Sequence, residues 1–141
     1  MGSRVFLTNT DTTIGFISKS SKALDIAKNR TPNKKYITAL SSLKKLKKRT
    51  PKKFNKLIRR AKKTTFILNK NFSFRVIKDK RHLLLINRLD GTYTTSANKS
   101  GYKFNYEYAT SMANIIVYPL KESKRVSTIY KISKTQIKRL R

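Results

Sequence analysis

The sequence predicts an α/β (α+β) fold in which strands and helices contribute to one sheet-based core. Three observations lead there. The apolar residues switch along the chain between the two-residue period of strands and the three-to-four-residue period of helices. Capping and breaking residues bracket the helical stretches. Seven Tyr and seven Phe, within an apolar fraction of 38%, give 141 residues enough bulk for one core and not for two. Residues 1–141 are therefore expected to form a single domain.

Arg4 to Leu7 reads as a short strand that runs into the polar stretch from Thr8 to Thr13, with Gly15 shortly after. A helix is expected from Ser21, with Ala23, Leu24, Ile26 and Ala27 as its apolar positions and Pro32 stopping it after Arg30. Tyr36 to Leu40 suits a strand, and Ser41 or Ser42 could cap a short basic helix. Thr50 and Pro51 mark the start of a further helix carrying Phe54, Leu57, Ile58 and Ala61 at helical spacing. Strands follow at Thr64 to Leu68 and Phe72 to Ile77, with a turn at Asn69-Lys70-Asn71. Asp79 is placed to cap a helix through Leu83 to Leu89, ended by Asp90-Gly91. A strand near Thr92 to Thr95, a polar loop from Ser96 to Gly101 and a helix near Asn105 to Met112 come next. Asn114 to Tyr118 and Ser127 to Ile132 are read as strands. His82 is read as a helix-surface residue.

Charge dominates the composition: 35 Lys and Arg against 6 acids give a net charge of +29. Twelve basic residues and no acid lie between Leu43 and Lys63, which favours a polyanionic partner over mere solubility. With no cysteine, disulfides, thiolate zinc sites and cysteine nucleophiles are excluded. No run of apolar residues approaches the roughly 20 that a membrane span requires, so no membrane association is expected and a cytoplasmic location is.

Four polar clusters fall at element edges: Thr10-Asp11-Thr12, Lys28-Asn29-Arg30, Ser96-Ala97-Asn98 with Ser100-Gly101, and Ser127-Thr128. Each alone is ordinary turn chemistry. In their order they resemble the YrdC-like family, whose hallmarks are a K-x-R pair early in the chain and an S-x-N pair later, here Lys28 with Arg30 and Ser96 with Asn98. The family's T-S-A-N-x-S-G phrase is intact as Thr95 through Gly101. Its P-T-D-T-x-Y-G corresponds to Asn9 through Gly15, its K-x-R-P-x-x-K-P to Lys28 through Lys35, its A-R-V-P to Phe74 through Ile77, and its P-S-T-[VI] to Val126 through Ile129. Three positions depart from the pattern: Asn9 replaces a proline, Ile14 a tyrosine, and residues 60–65 keep only the final threonine of a W-P-G-P-L-T phrase.

The resemblance implies a twisted, mixed, open sheet flanked by helices, with a basic concave face. It also implies a nucleotidyltransferase, the L-threonylcarbamoyladenylate synthase. L-threonine and bicarbonate combine as a carbamate that attacks the α-phosphate of ATP, releasing pyrophosphate, and the product goes to the tRNA threonylcarbamoyltransferase machinery. Lys28, Arg30, Ser96 and Asn98 are then the catalytic and ATP-binding candidates, with Ser127 and Arg141 on the same ligand; Thr10, Thr12 and Arg75 are the threonine-side candidates. Arg75 could equally be an exposed strand cation, and Asp11 is better read as a turn former than as a general base. Magnesium is expected to ride on ATP, with no protein metal site, because carboxylates are scarce. Lys and Arg neutralising phosphate while Ser, Thr and Asn supply directional hydrogen bonds is a coherent nucleotide site. The alternative is a non-catalytic RNA-binding or RNA-maturation protein that holds tRNA or double-stranded RNA through Lys47, Lys48, Lys52 and Lys53.

Overall fold

The structure, a computed structural model, describes residues 3–32, 34–69, 72–122 and 126–141. Nine strands form one sheet: β1 (Phe6–Asn9), β2 (Ile14–Ser18), β3 (Ile37–Leu40), β4 (Thr64–Asn69), β5 (Phe72–Val76), β6 (Thr92–Ser96), β7 (Ile115–Ile116), β8 (Thr128–Ile132) and β9 (Ile137–Arg139). Four helices accompany them: α1 (Ser21–Lys28), α2 (Asn55–Arg60), α3 (Lys80–Leu89) and α4 (Tyr106–Met112). The strand order is β7-β1-β2-β6-β3-β5-β4-β8-β9. Three parallel pairs (β1 with β7, β3 with β5, β4 with β8) are interspersed among antiparallel ones, so the sheet is mixed and open, as expected.

Two strands escape the sequence pattern. Ile14–Ser18 is buried along its whole length, so it lacks the alternation that marks a half-exposed strand. Gly15 in its middle is required by space: a Cβ there would stand 2.7 Å from Thr10 Cγ2 and 2.9 Å from the Thr95 carbonyl oxygen. Ile137–Arg139 is a three-residue edge strand with a single apolar residue. The Thr50 helix is also shorter than its apolar spacing predicts. A 3-10 turn at Lys52–Phe54 precedes α2, and only Asn55–Arg60 is α-helical. The Ser42 segment forms a 3-10 turn, Leu43–Lys45, and not a helix. The turn expected at Asn69-Lys70-Asn71 falls on residues 70 and 71, outside the described residues.

Register assigns the side chains to two faces. On one face Leu7, Ile14 and Phe16 pack with Leu24 and Ala27 of α1 and Ala109 of α4. Farther along that face Leu40, Phe66, Phe74 and Val76 pack with Ile58 of α2. On the other face α3 covers Phe6, Ile17 and Ala39 through Ile86 and Leu89. Beyond α3 this second face stays open, and its concavity holds the site described next.

The helix ends place the polar clusters. Ser20 Oγ accepts from Ala23 N at 3.1 Å and starts α1. Asn29 takes the left-handed conformation (φ 50°), so the helix closes at Lys28, two residues before the proline signal suggested. The K-x-R pair thus straddles a helix end, with Lys28 inside the last turn and Arg30 beyond the reversal. Asp79 caps α3 by accepting from His82 N at 3.0 Å, and Asp90 and Gly91 end it with positive φ.

Candidate functional site

A cleft of about 360 Å³ opens on the concave face. Five chain segments meet there: Thr10 and Thr12 after β1, Arg30 after α1, Arg75 on β5, Ser96 at the end of β6, and Ser127 with Arg141 beside β8 and β9. Seven of the residues singled out from sequence therefore share one cavity. Lys35, Tyr36, Ile37, Thr94 and Ile129 are among the other residues of its wall.

The floor of the cleft is a continuous polar chain. Arg75 Nη1 donates to Asp11 Oδ1 at 2.8 Å and to Thr12 Oγ1 at 3.2 Å. Arg75 Nε and Nη2 donate to Thr65 Oγ1 at 3.2 and 2.9 Å. Thr65 Oγ1 donates onward to Ser127 Oγ at 3.1 Å, and Arg141 Nη2 donates to the same Ser127 oxygen at 3.0 Å. Arg75 is 6% exposed, so it is no exposed strand cation: the guanidinium is buried and committed to Asp11, Thr12 and Thr65. Asp11, also 6% exposed, is the counter-charge to this arginine. Thr10 Oγ1 shapes the turn before β2, donating to the Thr13 carbonyl and accepting from the amides of Thr12 and Thr13.

Lys28 and Asn98 sit behind the cleft wall. Lys28 is buried, and its Nζ donates to the Ser96 carbonyl at 2.9 Å and to Asn98 Oδ1 at 3.0 Å. Ser100 N also donates to the Lys28 carbonyl, so the end of α1 holds the 96–101 loop in place. Burial, reinforced by Arg30 and Lys34, lowers the Lys28 ammonium pKa to about 8. Arg30 is held by Tyr36, whose hydroxyl accepts from Arg30 Nε at 3.0 Å and donates to Asp25 Oδ1 at 2.6 Å. Burial followed by the Asp25 hydrogen bond raises the Tyr36 pKa to about 12.

One residue differs here from the sequence reading. His82 is 3% exposed, not on the helix surface, because α3 turns this residue toward Asp11 and the sheet. Neither of its ring nitrogens has a hydrogen-bond partner among the described residues, and burial lowers its pKa. Lys47, Lys48, Lys52 and Lys53 lie outside the cleft, in the segment before α2 that packs on the opposite face. Thr65, the hub between Arg75 and Ser127, was visible in sequence only as the last residue of an eroded phrase. Among the described residues no group of three His, Asp or Glu is placed to hold a metal ion, and no helix is long and apolar enough to cross a membrane.

The mixed sheet with its basic concave cleft defines a YrdC-like fold. P. abyssi Sua5, solved in complex with L-threonine, superposes with a TM-score of 0.81 at 18% identity, over 99% of this chain and 50% of that one. E. coli YciO superposes with a TM-score of 0.76 at 13% identity, over 98% of this chain and 82% of that one. In sequence the chain is similar to an uncharacterized protein of Mycoplasma genitalium, 41% identical over 101 residues, which is 69% of this chain and 21% of that protein. The chain thus spans about a fifth of that relative and half of Sua5. No family model matches the sequence.

Proposed function

We propose that the chain is an L-threonylcarbamoyladenylate synthase, taking L-threonine, bicarbonate and MgATP and releasing pyrophosphate. The observation that carries this reading is the convergence of Arg30, Ser96, Ser127 and Arg141 with Thr10 and Thr12 in one cleft of a fold shared with a protein solved with L-threonine. Arg30 and Arg141 supply fixed positive charge for the triphosphate, while Ser96 and Ser127 supply hydroxyls to orient it. Thr10 and Thr12, in the same lining, are assigned to the amino acid in this reading.

The reaction needs alignment and charge neutralisation more than a covalent catalyst. The threonine nitrogen bonds to the bicarbonate carbon to give a carbamate, with loss of water. A carbamate oxygen then attacks the α-phosphorus, the bond from that phosphorus to the α,β-bridging oxygen breaks, and pyrophosphate leaves with its magnesium. Lys28 and Asn98 act as positioning residues that fix the Ser96 loop.

The test is pyrophosphate release with each of L-threonine, bicarbonate and ATP omitted in turn. Release that requires all three, and falls at least ~100-fold in Lys28→Ala and Asn98→Ala proteins that remain folded, supports the assignment. Release in the absence of threonine, or full activity in both variants, overturns it.

A further inference from the structure

Among the described residues three buried side-chain atoms lack a hydrogen-bond partner: Asp11 Oδ2 and the two ring nitrogens of His82. They come from distant parts of the chain. Asp11 lies in the turn between β1 and β2, and His82 in the first turn of α3. These two segments meet, because Thr10, next to Asp11, and Asp79, the cap of α3, line one groove on the α3 side of the sheet. Of the charges that act on the imidazole, Asp11 is the strongest, ahead of Asp79 and Arg75.

A buried polar atom left without a partner is destabilising, and such atoms are few in folded proteins. The surrounding groups are already committed. Asp11 Oδ1 takes Arg75 Nη1, the remaining Arg75 hydrogen bonds go to Thr12 and Thr65, and Asp79 takes the His82 amide. What is left over is complementary: a neutral imidazole carries one N–H donor, and a carboxylate oxygen only accepts. Neither reaches the other directly, since each is without a partner. One water molecule closes such a gap, accepting from the ring N–H and donating to Oδ2.

We propose that His82 is a positioning residue of the cleft floor, joined to Asp11 Oδ2 through one internal water molecule. The last torsion of an aspartate is soft, so a single hydrogen bond at Oδ1 does not fix the plane of the carboxylate. The bridge fixes it from behind and keeps Oδ1 on Arg75 Nη1. Arg75 is thereby held at Thr12 and Thr65, and through Thr65 at Ser127. Neither His82 nor Asp11 lines the cleft, whereas Thr12, Arg75 and Ser127 do. His82 therefore acts on the cleft only through Asp11. A histidine that merely filled space would be replaceable by leucine without effect on Arg75. The bridge is independent of the synthase reading; its effect on turnover rests on that reading.

The test is nuclear magnetic resonance of the nitrogen-15-labelled protein at neutral pH. In the parent the two ring nitrogens of His82 should give the separate signals of a single neutral tautomer, and the ring N–H should show cross-relaxation to a long-lived water. The Arg75 Nε–H proton reports on the floor. Its exchange with solvent should quicken at least ~10-fold in His82→Leu. In His82→Gln, whose amide can donate to the same water, exchange should return to within about twofold of the parent. Far-ultraviolet circular dichroism should show both variants folded. Averaged tautomers with no bound water in the parent, parental Arg75 exchange in His82→Leu, or a Gln variant no slower than the Leu variant overturns the proposal. In the pyrophosphate assay His82→Leu should raise the KM for L-threonine at least ~5-fold and leave kcat within about threefold. An active His82→Leu enzyme with parental KM overturns the proposal as well. A parent without turnover counts against the synthase reading alone, because the resonance measurements need no substrate and still decide on the bridge.

Discussion

Arg75 and Asp11, 64 residues apart in the chain, meet in a buried ion pair at 2.8 Å, with their side chains 7% and 3% exposed. This contact joins the turn after β1 to the middle of β5 and sets the floor of the cleft. Removing one partner leaves an uncompensated charge out of water. Asp11→Ala or Arg75→Met alone should cost about 3 to 5 kcal/mol of stability. The double variant should cost at least about 1 kcal/mol less than the sum of the two. Urea unfolding of the four proteins measures the coupling, and strict additivity would show that the pair is not energetically linked.

Lys28 should titrate near pH 8 in the free protein. A lysine whose pKa is lowered by folding is protonated more fully in the unfolded chain between about 8 and its ordinary 10.5. The stability of the parent should therefore rise with pH across that window relative to Lys28→Met. A nucleotide in the cleft, whose phosphates lie beyond the Ser96 loop, would raise the pKa through space by its negative charge. Nuclear magnetic resonance of the lysine side chain with and without ATP reads both effects. A titration midpoint that stays at 10.5 in the free protein contradicts the buried placement.

His82 is held neutral by burial, against the pull of Asp11 and Asp79 and with Arg75 opposing its charge. Its folded pKa is lowered, so the unfolded chain takes up the proton first as pH falls below about 6.5. Stability should decline over that range in the parent and decline less in His82→Leu. Parallel curves between pH 7.5 and 5.5, followed by chemical denaturation, would assign the acid sensitivity elsewhere.

Gly15→Ala should cost roughly 1 to 3 kcal/mol, because the added methyl group meets Thr10 Cγ2 and the backbone of Thr95. Since Thr10 lines the cleft, ligand affinity should fall together with the melting temperature. A melting temperature unchanged from the parent would show that the Thr10 turn yields freely.

Much of this architecture was legible where one residue type has one structural use. Asp79 caps its helix as the sequence predicts, and alternation marked Phe72–Val76. Ile14–Ser18 was missed because a strand buried on both faces has no polar side to reveal its period. His82 was misplaced because the Lys80-Arg81 neighbourhood reads as surface, and only the packing of α3 on the sheet turns this residue inward. The polar clusters located the cleft. They did not reveal that Lys28 would spend its hydrogen bonds on the Ser96 loop, or that Thr65 would link Arg75 to Ser127. The second depends on the register of β4 with β5 and β8, and the first on how the end of α1 meets the end of β6; both are long-range properties.

The seam between β3 and β6 carries a further consequence. It rests on three residue pairs, Ile37 with Thr94, Thr38 with Tyr93 and Ala39 with Thr92. On one side of it lie the strands that bring Thr10 and Ser96, and on the other those that bring Arg75, Ser127 and Arg141. No contiguous stretch of the chain contains the whole constellation except almost the entire chain. A ligand clasped from both sides would be bound only by molecules whose seam has closed, and would stabilise those molecules in turn, so that binding would report on assembly.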